Sequence, residues 1–206
     1  MSGPERKILV LFAHPAQRRS EVNVPLFREA RKIEGVTAVD LYALYPTMDI
    51  DIDAEQARLR EHDVIVFLCP FYWYSTPAIL KEWQDLVLEY GFAYGSGGTA
   101  LHGKLFFAAL TTGGTEDAYR PGGYNNFTLR ELLHPLEQMA TLCGLVYLPP
   151  FVLFGARSAR EQGRIGDHLA AWRRLLEGLR DGSLKLDGAA GAAALNDFLT
   201  AEDSKG

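Results

Sequence analysis

Ile8-Leu9-Val10-Leu11-Phe12-Ala13 is an unbroken apolar run, and His14-Pro15-Ala16-Gln17-Arg18-Arg19-Ser20-Glu21-Val22-Asn23 follows it at once. A strand wetted on one side alternates apolar and polar residues. A run without alternation is buried on both faces, as in an inner strand of a parallel sheet covered by helices above and below. Val64-Ile65-Val66-Phe67-Leu68 and Leu105-Phe106-Phe107-Ala108-Ala109-Leu110 read the same way, so these three are predicted to be central strands. Val36-Thr37-Ala38-Val39-Asp40-Leu41 alternates more, and the stretch from Leu145 to Phe154 is interrupted by Pro149-Pro150, which an inner strand does not tolerate. Those two are predicted to be edges.

Helical spacing fills the intervals. Val22, Leu26, Phe27, Ala30 and Ile33 form one apolar stripe, and Ile79, Leu80, Trp83, Leu86 and Val87 another. A short helix is expected over Ala54 to Arg60. A further one runs from Leu129 to Leu142, where Pro135 demands either a kink or a later start. Leu169, Trp172, Leu175, Leu176 and Leu179 mark the last helix of the body, with Arg173, Arg174 and Arg180 on its other face. Pro25 fits a helix capped at Ser20 poorly, so that helix is expected to begin a residue or two later. The class is α/β: a three-layer, doubly wound, five-stranded parallel sheet of order 2-1-3-4-5, whose ligands bind at the carboxyl ends of the strands.

The 206 residues, 48% of them hydrophobic, provide for one core. Residues 1–182 are expected to form it, leaving 183–206 as a Gly/Ala-rich, partly disordered tail; a docked helix around Leu195, Phe198 and Leu199 is the alternative. Lys+Arg 21 against Asp+Glu 26 gives a net charge of −5, which argues against nucleic acid as a partner. Cys69 and Cys143 are too few for a disulfide framework, and no metal-ligand spacing links the histidines. No run is long and apolar enough to cross a bilayer, and the first residues lack a signal-peptide core, so a cytoplasmic location is expected.

Three loops lie at the ligand end of the predicted sheet. The first contains no glycine, so a dinucleotide-type Gly-x-Gly-x-x-Gly turn is absent. His14, Ser20, Asn23 and the amides opening the next helix could instead take a phosphate; Ser20 reads equally well as a plain cap. The second loop, Pro70-Phe71-Tyr72-Trp73-Tyr74-Ser75-Thr76-Pro77, has four consecutive aromatics that must point in different directions, as suits stacking on a flat ring, an aromatic plug or a subunit contact. The third, Thr111-Thr112-Gly113-Gly114, lets backbone N–H groups approach a ligand closely. Gly98-Thr99-Ala100-Leu101-His102-Gly103-Lys104 has triphosphate-loop spacing, but Leu105 replaces the needed hydroxyl and a strand follows. Asn126-Phe127-Thr128 is a sequon by pattern alone.

Taken together these residues resemble the flavodoxin-like NAD(P)H:quinone oxidoreductases, above all the ancillary quinone reductases of bacterial glutathione-gated potassium-efflux systems. The likeness spans Lys7 to Arg180. It is carried by Ala13-His14-Pro15 with Ser20 and Asn23, Leu44-Tyr45-Pro46, Asp49-Ile50-Asp51-Ile52, Trp73-Tyr74-Ser75-x-Pro77, Ala93 through Lys104, Thr111 through Gly114, and Cys143-Gly144-Leu145 with Leu148-Pro149-Pro150-Phe151. It implies a flavodoxin-like fold, non-covalent FMN or FAD, NAD(P)H as co-substrate and a homodimer with the active site at its interface. The implied reaction is ping-pong, two-electron reduction of a quinone, that of an NAD(P)H dehydrogenase (quinone). It implies that His14, Ser20 and Asn23 hold the flavin phosphate, that Pro70, Phe71, Tyr72, Trp73 and Tyr74 line the ring, and that Thr111, Thr112, Gly113 and Gly114 bond its pyrimidine edge. Tyr119 matches a Tyr that faces the reacting ring in mammalian relatives; Asn125 stands where those relatives have a His. The alternative function is a regulatory ancillary subunit of a potassium-efflux transporter, peripheral at the inner membrane, with a mainly structural flavin. An electron-carrier flavodoxin is a third reading.

Overall fold

A computed structural model describes residues 5–203. Its strands are β1 (Ile8–Phe12), β2 (Val36–Asp40), β3 (Val64–Pro70), β4 (Leu105–Thr111), β5 (Val146–Tyr147) and β6 (Phe151–Leu153). Its helices are α1 (Asn23–Ala30), α2 (Leu41–Leu44), α3 (Ile52–Glu61), α4 (Ala78–Val87), α5 (Leu129–Leu132), α6 (His134–Leu142), α7 (Arg164–Asp181) and α8 (Leu195–Asp203). Every strand pairing is parallel, in the order β2-β1-β3-β4-β5, with β6 also on β4. The fold is flavodoxin-like, as expected.

β5 and β6 are two pieces of the predicted fifth strand. β5 sits against Leu105 and Phe106, and β6 against Ala109, Leu110 and Thr111. Pro149 and Pro150 have no N–H to give the ladder, so the strand breaks there and resumes.

Each residue of β1 is fully buried, and its alternating side chains feed two cores. Leu9, Leu11, Ile65, Phe67, Phe106 and Ala108 pack with Leu59, Trp83 and Ala140 on one face. Ile8, Val10, Phe12, Val66 and Phe107 pack with Leu26, Trp172, Leu175 and Leu179 on the other. In the first core the fully buried Glu55 carboxylate accepts from the Tyr45 hydroxyl at 2.7 Å and from Trp83 Nε1 at 2.9 Å, and pairs with Arg58. Burial and the carboxylate together push the Tyr45 phenol up to about 12.

The prolines set helix starts. α1 begins at Asn23, so Pro25 falls in the first turn, where no intrahelical partner awaits its missing N–H. The segment around Pro135 is two helices: α5 ends before Leu133, and Pro135 lies in the opening turn of α6. Thr128 caps α5 through a full capping box with Glu131, which gives the sequon a structural role. Lys104, from the false phosphate loop, donates to the Arg60 carbonyl at 3.0 Å in α3's last turn, tying that helix to β4.

Over its described residues the C-terminal segment packs on the body. Residues 204–206 lie outside the described residues, but before them Leu195 is fully buried, Ala189, Ala194 and Leu199 are buried, and the chain docks on β6. Leu195 N donates to the Pro150 carbonyl at 2.8 Å, and Asn196 Oδ1 accepts from Val152 N at 2.8 Å. These bonds satisfy backbone groups that an open sheet edge would leave exposed. Small residues let the chain approach that edge closely, so a composition resembling disorder marks a tight contact. Among the described residues no helix is long and apolar enough to cross a membrane.

Candidate functional site

The carboxyl ends of β1, β3 and β4 open into a cavity of about 620 Å³. Of the residues singled out from sequence, His14, Ser20, Asn23, Pro70, Phe71, Tyr72, Trp73, Thr111, Thr112 and Gly113 line it. Tyr74 lines a neighbouring, mostly apolar cavity of about 340 Å³, walled by Phe71, Leu110, Leu133, Met139 and Cys143. Gly114 and Tyr119 do not line the first cavity: Tyr119 lines a third one of about 310 Å³, and its Cε2 stands 3.3 Å from where a Cβ on Gly114 would project.

At one end the loop after β1 makes a short 3₁₀ turn, Gln17–Arg19, before α1. Val22 is the N-cap of α1, and Ser20 Oγ, two residues before it, accepts from Val24 N at 3.1 Å, while the hydroxyl proton stays available to a ligand. The amides of Glu21, Val22 and Asn23 have no acceptor among the described residues, and they gather at the positive end of α1. His14 Nδ1 accepts from Ala16 N at 3.1 Å, which places the proton of the neutral ring on Nε2. Burial lowers this imidazole below its usual range, keeping it neutral. Asn23 Nδ2 donates to Thr111 Oγ1 at 2.9 Å, whereas Asn23 Oδ1 is buried with no donor among the described residues.

The aromatic run divides as its sequence requires. Phe71 turns inward at 7% exposure, and Tyr72 meets His14 edge-on at 6.0 Å. Trp73 and Tyr74 have φ of 50° and 62°, and Ser75 N closes the turn on the Tyr72 carbonyl at 3.0 Å. Two successive left-handed positions ordinarily select Asn-Gly. Bulky aromatics there cost about 1 kcal/mol or more each and are held by surrounding structure. Trp73, 93% exposed, gains almost no burial in return. The turn also leaves the amides of Trp73 and Tyr74 without partners among the described residues.

The third loop is held by its carbonyls. Ala156 N donates to Thr112 O and Gly155 N to Gly114 O, both at 2.8 Å, and Thr112 Oγ1 donates to Gly114 O at 2.7 Å. The N–H groups of Gly113 and Gly114 are left free among the described residues. Burial raises the Tyr119 phenol, so its hydroxyl keeps its proton at neutral pH. Tyr74 Oη donates to Asn125 Oδ1 at 3.2 Å, linking the second and third loops. Cys69 is fully buried and its thiol is pushed up by burial, as in a packing residue.

Sequence reasoning missed Arg157, which lines the main cavity from the loop after β6. The signal was present: a fifth parallel strand delivers its following loop to the same end of the sheet.

A family model described as flavodoxin-like fold matches residues 6–176. The chain belongs to this flavodoxin-like family. It is 49% identical over 162 residues to the glutathione-regulated potassium-efflux system ancillary protein KefG of Serratia proteamaculans, covering 79% of this chain and 88% of that one. The general stress protein 14 of Treponema denticola, solved in complex with FMN, superposes with a TM-score of 0.78 at 35% identity, covering 84% of this chain and 99% of that chain. An NADPH-quinone reductase structure from P. pentosaceus gives a TM-score of 0.72 at 29% identity, covering 82% and 96%. These likenesses take in most of the flavodoxin-like body of the chain.

Proposed function

We propose that this chain is an FMN-dependent NAD(P)H:quinone oxidoreductase. The observation that carries the reading is one cavity at the carboxyl ends of three adjacent strands whose walls offer unpaired backbone amides at both ends. A structurally similar relative solved with FMN supports the choice of FMN over FAD. The residues fit the group: the orphaned Asn23 Oδ1 suits a hydroxyl of the ribityl chain, and glycines 113 and 114 let a ring edge reach their amides.

In this reading the α1 amides, the Ser20 hydroxyl, neutral His14 and the Asn23 amide hold the phosphate. Pro70, Phe71, Tyr72, Trp73 and Tyr74 hold the ring and exclude water from one side. The amides of Gly113 and Gly114, with Thr111 and Thr112 fixing their loop, stabilise negative charge on the pyrimidine edge, as an oxyanion hole does. Tyr119, protonated at neutral pH, supplies a hydrogen-bond donor beside them. Bound flavin supplies hydride acceptance from NAD(P)H and two-electron delivery to a quinone.

The exposed Trp73, Tyr124 (90%) and Phe127 (54%) stand on the loops beside the cavity, and a second copy of the chain is proposed to cover them as a homodimer. Sedimentation of the holoprotein should give twice the chain mass. The reaction is tested by initial rates of NADH and NADPH oxidation with a benzoquinone acceptor. Parallel double-reciprocal lines are expected; turnover absent with both nucleotides rejects the activity.

The 49% identity to KefG favours a second reading, an ancillary subunit at the cytoplasmic face of a potassium-efflux transporter. Co-purification with such a transporter, and efflux reduced by deletion of this chain, would support it. Normal efflux without the chain would reject it.

A further inference from the structure

Arg157 stands against the glycine pair that the proposed function assigns to the pyrimidine edge of the flavin. Its Nε lies 3.6 Å, and its Nη2 3.9 Å, from where a Cβ on Gly113 would project. On the other side of the pair, at Gly114, the corresponding neighbours are the neutral Tyr119 ring and the Asn125 amide, 3.3 and 3.7 Å away. Those neighbours are uncharged, whereas Arg157 brings a permanent cation against Gly113 from a different loop.

The guanidinium has no carboxylate or carbonyl partner among the described residues, and it lines the cavity. The loop carrying it is held at both ends. Gly155 N and Ala156 N bond the third loop at 2.8 Å, and Arg160 pairs with Glu21 beside α1 at 2.9 Å. Glu21, the acid that lines the same cavity, is thereby engaged by Arg160, and Arg157 remains available to a ligand. A hydride brings two electrons and one proton to a neutral ring, which gains one net negative charge unless a second proton follows.

We propose that Arg157 holds this negative charge through its guanidinium at the Gly113 edge, and so sets the reduction potential of the bound flavin. The proposal rests on the FMN reading above. Wild-type, Arg157→Ala, Arg157→Gln and Arg157→Lys proteins, loaded with FMN, are to be titrated to their midpoint potentials, with FMN and riboflavin dissociation constants measured in parallel. Loss of the cation in the Ala and Gln variants is expected to shift the equilibrium toward oxidised flavin at least tenfold, a fall of about 30 mV for a two-electron couple. The Lys variant should recover most of the shift, and FMN affinity of the oxidised proteins should change less than about threefold. A potential within about 10 mV of wild type in both the Ala and Gln variants overturns the proposal. So does FMN affinity that falls while riboflavin affinity holds, which moves Arg157 to the phosphate. Failure of the wild-type protein to take up FMN is a separate result, and it rejects the functional reading itself.

Discussion

Trp73 and Tyr74 adopt the backbone conformation least suited to them, and the cost is local. Trp73→Gly removes that strain and almost no buried surface, because the indole is 93% exposed. In flavin-free protein the substitution should leave the unfolding free energy unchanged or raise it by up to about 1 kcal/mol, while FMN binding weakens at least tenfold. Urea unfolding and a fluorescence titration measure the two. A loss of stability with unchanged FMN affinity would make Trp73 a structural residue. His14, Ser20, Asn23 and the two glycines were legible because each follows directly on a recognisable strand. The left-handed turn was not, since its aromatic residues are the opposite of what such a turn selects.

At the scale of elements, the described C-terminal segment is part of the fold, and Leu195 is its anchor. Leu195→Ala is expected to cost about 3 kcal/mol and to lower Tm by about 6–12 °C in calorimetry. A cost below about 1 kcal/mol would return the segment to the status of a loose tail. Where α7 meets β6, the His168 ring stacks on Phe151 at 4.4 Å, and burial, aided by the Arg164 charge, holds its imidazole down to about 4. Between about pH 6.5 and 4 the unfolded chain therefore binds a proton that the folded chain refuses, so stability falls as pH drops, by at most about 3 kcal/mol. His168→Gln should flatten that part of the urea-unfolding profile by one proton; an unchanged slope would show that His168 titrates normally. The strands and the break at Pro149-Pro150 were readable from patterns of apolar residues and from proline chemistry. The docking of residues 189–199 was readable only as an alternative, from Leu195, Phe198 and Leu199, because the Ala and Gly around them carry little hydrophobic signal even where they pack closely.

For the whole molecule, three buried strands fix which loops converge, and the order β2-β1-β3-β4-β5 puts the loops after β1, β3 and β4 at one cavity. The net charge of −5 is compatible with this and does not produce it. The fourth contributor, Arg157, was missed because its loop carries neither a glycine pair nor an aromatic run, although the fifth parallel strand delivers that loop to the same end of the sheet. The central claim is that the cavity binds a flavin. It is tested most directly by titrating the purified, flavin-free chain with FMN and following the flavin fluorescence. Saturation is expected at one FMN per chain with a dissociation constant in the micromolar range or below, weakened by Trp73→Gly. No saturable binding by folded protein would contradict it.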